Sequence, residues 1–209
     1  MRVVVPFAAR EPKTRLADVL SPDERSAFAA AMLDDVLAAV RATGREPEVL
    51  ATGPVGVDAP VTVDDRPLTE AVNAVLAETD RRVAVVMADL ALATPDALDR
   101  LFEAESAVAI APGRGGGTNA LAVAHPEFRV DYHGTSYLDH LGIAREVGAS
   151  VSVVDSHRLA TDVDERADLA EVLIHGGGEG RSRGRSAEWL RSAGFSLAGD
   201  ESRVGVVRE

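Results

Sequence analysis

The sequence predicts an α/β protein, a three-layer α/β/α sandwich of Rossmann-like form, and three observations carry that reading. Apolar runs the length of one strand recur at residues 3–6, 83–87 and 107–111, and segments of helical spacing separate them. The run Val83-Ala84-Val85-Val86-Met87 has no polar position, which is the pattern of a strand buried on both faces of a parallel sheet. Alternation of such strands with helices selects the α/β class, with a mostly parallel sheet.

Residues 3–6 form the first strand and residues 7–15 the loop that follows it. Ser21, Pro22 and Glu24 are a capping box with proline at the first helical position, so a helix is expected over 22–43, closed by Gly44. Strands are expected at 48–52 and 61–63, a helix at 68–79 and the buried strand at 82–87. Thr94 and Pro95 open another capped helix to about residue 104, and 107–111 is again a buried-type strand. Past Gly113 come a glycine-rich loop at 113–117, a strand at 120–124, a helix at 136–147, a strand at 150–154 and a helix at 164–174. The basic, low-complexity stretch 176–185 reads as a flexible linker. The remainder offers either a helix at 187–194 with an edge strand at 204–207, or a tail. The expected organisation is one domain over 1–175 and a C-terminal extension over 176–209.

A chain of 209 residues with 46% hydrophobic and 27% charged residues can bury a core and is not of disordered composition. Aromatic residues make up only 4%, so that core must be aliphatic. The absence of cysteine excludes disulfides, thiolate metal sites and cysteine nucleophiles, and leaves oxygen or histidine to hold any metal. A net charge of −12 argues against duplex nucleic acid or an anionic membrane as partner. Lys13 is the single lysine among 22 basic residues, and this acidic, lysine-poor composition points to a salt-rich cytoplasm. No segment approaches 18 consecutive apolar residues and the chain opens directly on a strand, so the expected location is the cytoplasm.

Five segments could carry chemistry. Asp89 lies just past the C-terminal end of the buried strand, the edge where open α/β sheets bind ligands, and Thr94 already caps the next helix; Asp89 is therefore free to hold a divalent cation. Asp162 and Asp164 form an Asp-x-Asp pair whose carboxylates share one side of an extended segment, although an aspartate before a helix is also an ordinary N-cap. With Asp89 they would make a hard-cation site of three carboxylates. Lys13 and Arg15 sit in the loop after the first strand, where they could neutralise a triphosphate and its departing pyrophosphate; a solvated basic patch is the alternative. That loop lacks the glycines of a Walker A motif.

The fourth segment is the loop holding Gly116 and Gly117, whose backbone amides could approach an anion, followed by the hydroxyl of Thr118 and the amide of Asn119. The fifth runs from Tyr132 through His133 and Gly134 to Ser136, with Ser136 placed to cap a helix facing an anion. His140, one turn further, reads better as a core or surface residue than as a catalytic one.

Together these motifs resemble the guanylyltransferases called CofC, which act on 2-phospho-L-lactate in the biosynthesis of the deazaflavin coenzyme F420. The resemblance runs through Pro6-Phe7, Lys13-Thr14-Arg15-Leu16, the helix containing Met32 to Leu37, Met87-Ala88-Asp89-Leu90, the string from Gly115 to Leu121, Ser136 with His140, and Asp162-Val163-Asp164 with Asp168-Leu169. It departs at Ala8, Ala91 and His133, where relatives commonly have lysine, proline and glycine. The resemblance implies the fold of nucleotide-diphospho-sugar transferases, often as a homodimer. It implies GTP as donor and 2-phospho-L-lactate as acceptor, with phosphoenolpyruvate or 3-phosphoglycerate in some relatives. It further implies magnesium on Asp89, Asp162 and Asp164, and acceptor contacts at Thr118, Ser136 and the turn at His133-Gly134. An acceptor phosphate is already ionised at neutral pH, so in-line attack on the α-phosphorus needs no general base, only charge stabilisation of the pyrophosphate. The guanylyltransferase of molybdenum-cofactor synthesis and sugar-nucleotide enzymes share the fold class, but their Leu-x-x-Gly-Gly-x-Ser-x-Arg-Met type of start is missing here. A non-enzymatic nucleotide-binding module is the alternative from another class.

Overall fold

The computed structural model describes residues 1–177, 184–199 and 204–209. Its centre is a seven-stranded sheet built from β1 (Arg2–Phe7), β2 (Pro47–Ala51), β3 (Val61–Val63), β4 (Val83–Val86), β5 (Val108–Pro112), β6 (Thr118–Val123) and β7 (Val151–Val153), in the order β3-β2-β1-β4-β6-β5-β7. Every neighbouring pair is parallel except the two made by β6, which runs antiparallel to both β4 and β5.

The period of two along each strand assigns its side chains to opposite faces. Val3 and Val5 of β1 join one core cluster with Leu33, Val36, Leu37 and Val40 of α1 (Pro22–Ala42) and with Leu98 and Leu101 of α3 (Pro95–Phe102). Val4, Val85, Ile110 and Leu121 face the other way, against Val72 and Val75 of α2 (Leu68–Ala77), Ala144 of α4 (Ser136–Glu146) and the loop residues Phe128 and Val130. Those two clusters are the interfaces between three layers, and they are aliphatic almost throughout.

The helix starts follow their local chemistry. Ser21 accepts from the Glu24 amide while Glu24 returns a bond of 2.8 Å to the Ser21 amide, and Thr94 accepts from the Ala97 amide. Four details differ from the sequence expectation. A short helix α5 (His157–Ala160) was not expected; with one buried residue, Leu159, it has no periodicity to read. Helix α6 (Arg166–His175) begins two residues later than expected, because Glu165 and Asp168 form its capping box and displace Asp164 from the cap. The third difference is in where two elements begin, for Ser136 is the first residue inside α4 and is not its cap, and β6 starts at Thr118, earlier than residue 120.

The fourth difference is at the C-terminus. The chain there is a helix, α7 (Arg185–Ser192), and a hairpin of β8 (Phe195–Gly199) with β9 (Val204–Arg208), which forms its own two-stranded sheet and not an edge of the main one. Ala187, Leu190, Phe195 and Val206 share a third core cluster with Phe28 and Met32 of α1 and Leu169, Val172 and Leu173 of α6. Gly184 offers no side chain to cap α7, and Asp35 of α1 takes that place, accepting from the amides of Arg185 and Ser186 at 2.6 and 2.9 Å. Of the stretch expected to be a linker, residues 178–183 lie outside the described residues.

Phe28 is fully buried and its ring lies 5.2 Å from that of Trp189, the only tryptophan, so the Phe28 cavity and the C-terminal packing can be read together. Phe28→Ala is expected to cost about 3–5 kcal/mol. Denaturant unfolding followed by Trp189 emission checks it, with the native emission already shifted to the red in the variant.

Candidate active site

The C-terminal edge of the parallel strands is where side chains from consecutive connections converge, and the antiparallel β6 adds its own N-terminal end to that edge. The Met87 amide donates to the Asn119 carbonyl at 3.0 Å, so the segment after β4 and the glycine loop before β6 start from the same point. The Val163 amide donates to the Asp89 carbonyl at 3.2 Å, which brings in the connection between α5 and α6. Residues from four loops thereby meet within one site.

Lys13 is at its centre. Its Nζ donates to Asp89 Oδ2 and to Asp164 Oδ1, both at 2.7 Å, and Arg15 reaches Asp164 Oδ2 at 3.4 Å. The loop delivers Lys13 in a left-handed conformation (φ 53°), as it does Glu11 (φ 45°), an arrangement non-glycine residues rarely adopt and which the surrounding contacts must hold. Burial opposes charge on the Lys13 ammonium, but the adjoining Asp89 and Asp164 carboxylates outweigh it and hold its pKa above the ordinary lysine value. Burial raises the Asp89 pKa against the pull of Lys13, and the nearby Asp164 and Asp162 charges push it further in the same direction.

Asp162 stands beside this pair, held by Asn119, whose Nδ2 donates to Asp162 Oδ1 at 3.1 Å and to the Leu159 carbonyl at 2.9 Å. Gly113 makes room for that amide: a Cβ there would lie 2.5 Å from Asn119 Oδ1. Asp168 and Arg114 fix the other end. Asp168 Oδ2 accepts from the amides of Asp164 and Glu165 at 3.0 and 2.8 Å, while Arg114 of the glycine loop donates to Asp168 Oδ1 at 2.7 Å. Neither Arg114 nor Asp168 had been given a role from the sequence, although the spacing of Glu165 and Asp168 was that of a capping box.

A divalent cation fits these residues by two observations. Asp89 Oδ1 is buried without a hydrogen-bond partner, and the donors available are all carboxylate oxygens, the set a hard cation prefers. Three carboxylates also face only two cationic side chains, Lys13 and Arg15.

Lys13, Arg15, Asp89 and Asp164 line a cavity of about 440 Å³, within the range of small-ligand sites. Met32, Leu50, Leu68 and Met87 supply apolar wall, and Asp64 with Arg66, paired at 2.5 Å, stand at its far side. Sequence reasoning passed over Asp64 and Arg66; their position directly after β3, at the ligand edge, was the available signal.

The expected acceptor contacts cluster separately, around the start of α4. Gly116 (φ +84°) accepts from the Tyr137 amide at 3.1 Å and packs beside Thr135, and Gly117 accepts from the Gly113 amide at 2.9 Å. Gly134 occupies an exposed left-handed turn (φ +51°). Thr118 and Ser136 are buried and their side chains are already bonded. Ser136 Oγ accepts from the Thr118 amide at 3.0 Å, and Thr118 Oγ1 lies 2.8 Å from His140 Nδ1. Asn119 joins this cluster to Asp162. The hydroxyls of Thr118 and Ser136 are therefore turned away from the exposed surface of this loop cluster, which carries the His133 and Thr135 side chains beside the glycine backbone.

A match to one family model spans residues 1–208, described as guanylyl transferase CofC like. The chain belongs to this family. Among curated proteins it is 63% identical to the 2-phospho-L-lactate guanylyltransferase of Halorubrum lacusprofundi, with all of both chains covered. It is 62% identical to the protein of the same name from Haloferax volcanii, covering 100% of this chain and 99% of that one. Among solved structures, a nucleotide-diphospho-sugar transferase from Desulfovibrio desulfuricans superposes with a TM-score of 0.74 at 16% identity, covering 92% of this chain and 95% of that one. The 2-C-methyl-D-erythritol 4-phosphate cytidylyltransferase of Thermus thermophilus follows at 0.56 and 18%, covering 83% and 98%. At such identities these structures speak for the fold alone, and they agree with the nucleotidyltransferase-like α/β architecture.

His140 gives a pH prediction. Its Nε2 accepts from the Asp131 amide at 2.9 Å, so the neutral ring carries its proton on Nδ1, and burial pushes its pKa down to about 4. A depressed histidine stabilises the fold above the unfolded value of about 6.5 and loses that contribution as pH falls through 4. The expected loss between those limits is about 3 kcal/mol. Denaturation at stepped pH should show it in the wild type and show a flatter profile in His140→Gln.

Proposed function

We propose that the protein transfers GMP from GTP to 2-phospho-L-lactate, giving lactyl-2-diphospho-5′-guanosine and pyrophosphate for coenzyme F420. The observation that carries this reading is the Lys13 ammonium held between Asp89 and Asp164 in the lining of a nucleotide-sized cavity, in a chain of the CofC family. The names of its relatives at 62–63% identity support the choice of acceptor and base.

The nucleotide lies in the cavity with its triphosphate at Lys13 and Arg15. An oxygen of the acceptor's phosphate forms the new bond to the α-phosphorus as the bond from that phosphorus to the bridging oxygen of pyrophosphate breaks. Lys13 and Arg15 neutralise the charge growing on the leaving pyrophosphate, and no side chain need remove a proton. Asp89, Asp162 and Asp164 would hold magnesium, which when bound supplies charge neutralisation of the phosphates. Asn119 and Asp168 keep the last two carboxylates in position. The turn of Gly116, Gly117 and Gly134, with Thr118 and Ser136 beneath it, receives the acceptor through backbone groups. The same reading makes the enzyme a cytoplasmic homodimer, for which light scattering is expected to return twice the 21.9 kDa of the chain.

Pyrophosphate release in high salt with magnesium tests the proposal, offering 2-phospho-L-lactate, phosphoenolpyruvate and 3-phosphoglycerate separately, with ATP, CTP and UTP as controls. Release is expected with GTP and phospholactate, and kcat/KM should fall about 10²–10³-fold in Lys13→Ala and in Asp162→Ala. Equal release by these variants and the wild type would remove the assignment of the carboxylate site. Release that follows another nucleotide or another acid would replace the substrate.

A further inference from the structure

On the side of α5 and α6 away from the cavity lies a group of side chains that the reaction does not use. Glu171 and His175 are one turn apart on α6, and His157 begins α5. His175 Nε2 lies 3.5 Å and His157 Nε2 3.6 Å from the same oxygen, Glu171 Oε2. One ligand atom from each residue falls within 4.8 Å of the other two, and the imidazoles meet edge to face with centroids 5.0 Å apart.

We propose that His157, Glu171 and His175 bind one transition-metal dication, zinc being the representative, which ties α5 to α6. Bonds of 2.0–2.1 Å from a tetrahedral ion place its ligands about 3.4 Å apart, and two of the three edges here are already within a few tenths of that. Two imidazoles and a carboxylate select zinc, cobalt, nickel or copper over magnesium, so the site does not compete with the all-carboxylate cluster for its ion. The second Glu171 oxygen faces Arg114 Nη1 at 3.9 Å, which leaves Oε2 directed at the two histidines. All three side chains are partly open to solvent, so an ion has an entry path and water can complete its shell. The segment joining the tied helices is the one that carries Asp162 and Asp164.

The test uses the full-length protein, freed of metal with EDTA and returned to buffer with excess magnesium, and titrates it with cobalt(II) and then zinc. Expected are one equivalent of cobalt with visible d–d absorption, its displacement by zinc, and a rise in thermal midpoint on zinc addition. His157→Ala, His175→Ala and Glu171→Gln should each weaken binding by more than about tenfold and reduce the midpoint rise, while melting with the wild type in EDTA. Cobalt binding that is absent, or as tight in the His157→Ala/His175→Ala double variant as in the wild type, overturns the proposal. A zinc-induced midpoint rise that survives in the double variant overturns it equally, by locating the ion elsewhere.

Discussion

Three aspartates cannot gather at one sheet edge without a cation among them, and the Lys13 ammonium between Asp89 and Asp164 meets that requirement. Like charges a few ångströms apart in a partly buried site repel far more than they would in water, and desolvation adds to the cost. Burial above all, with the neighbouring Asp164 and Asp162 charges adding to it, keeps the Asp89 pKa above the ordinary aspartate value despite a contact of 2.7 Å to lysine. Removing the ammonium therefore unbalances more than a hydrogen bond: it leaves Asp89 with both oxygens unpartnered beside two further carboxylates. This gives a physical reason for the single lysine to stand here, where a compact ammonium fits between Asp89 Oδ2 and Asp164 Oδ1 and the broad guanidinium of Arg15 reaches only the other oxygen of Asp164, Oδ2, at 3.4 Å.

That convergence depends in turn on the direction of β6. An all-parallel sheet would send the start of β6 to the opposite edge and the glycine loop with it. Running antiparallel, β6 begins next to the end of β4, and Thr118 and Asn119 emerge beside Met87. Asn119 then performs two tasks with one amide, fixing the end of α5 through the Leu159 carbonyl and Asp162 through its carboxylate. Gly113, Asn119, Asp162 and the chain of contacts from Arg114 through Asp168 to Asp164 form one frame, in which Asn119 of β6 holds Asp162 and Asp168 of α6 holds the Asp164 amide.

Much of this was legible in the sequence where the signal is local. Fully apolar runs identified the central strands, the Ser21 capping box placed α1, and the position of Asp89 after a buried strand named the ligand edge. The direction of β6 was not legible, since residues buried on both faces look alike in parallel and antiparallel strands. The four-residue α5 is shorter than any helical period can reveal. The hydroxyls of Thr118 and Ser136 read as ligand-facing groups because a sequence shows polarity and not burial; both are buried, Ser136 Oγ accepting from the Thr118 amide and Thr118 Oγ1 lying against His140 Nδ1. The Gly/Arg-rich stretch hid the packing behind it, for the cap of α7 is Asp35, 150 residues earlier in the chain.

The diffuse charge of the whole chain and the paired charges of the site respond differently to ionic strength. A net −12 repels anions at long range, while the cavity lining sets Lys13, Arg15 and Arg66 against Asp64, Asp89 and Asp164. Salt shortens the reach of charge from about 8 Å at physiological strength to about 3 Å at 1 M. The diffuse repulsion from surface acids is then lost over a few ångströms of approach, whereas partly buried contacts such as those of Lys13 are screened much less. High salt therefore removes the long-range part of the field and leaves the short-range contacts of the site, so an acidic surface and the ordered ion pairs around Lys13 are compatible in the same molecule.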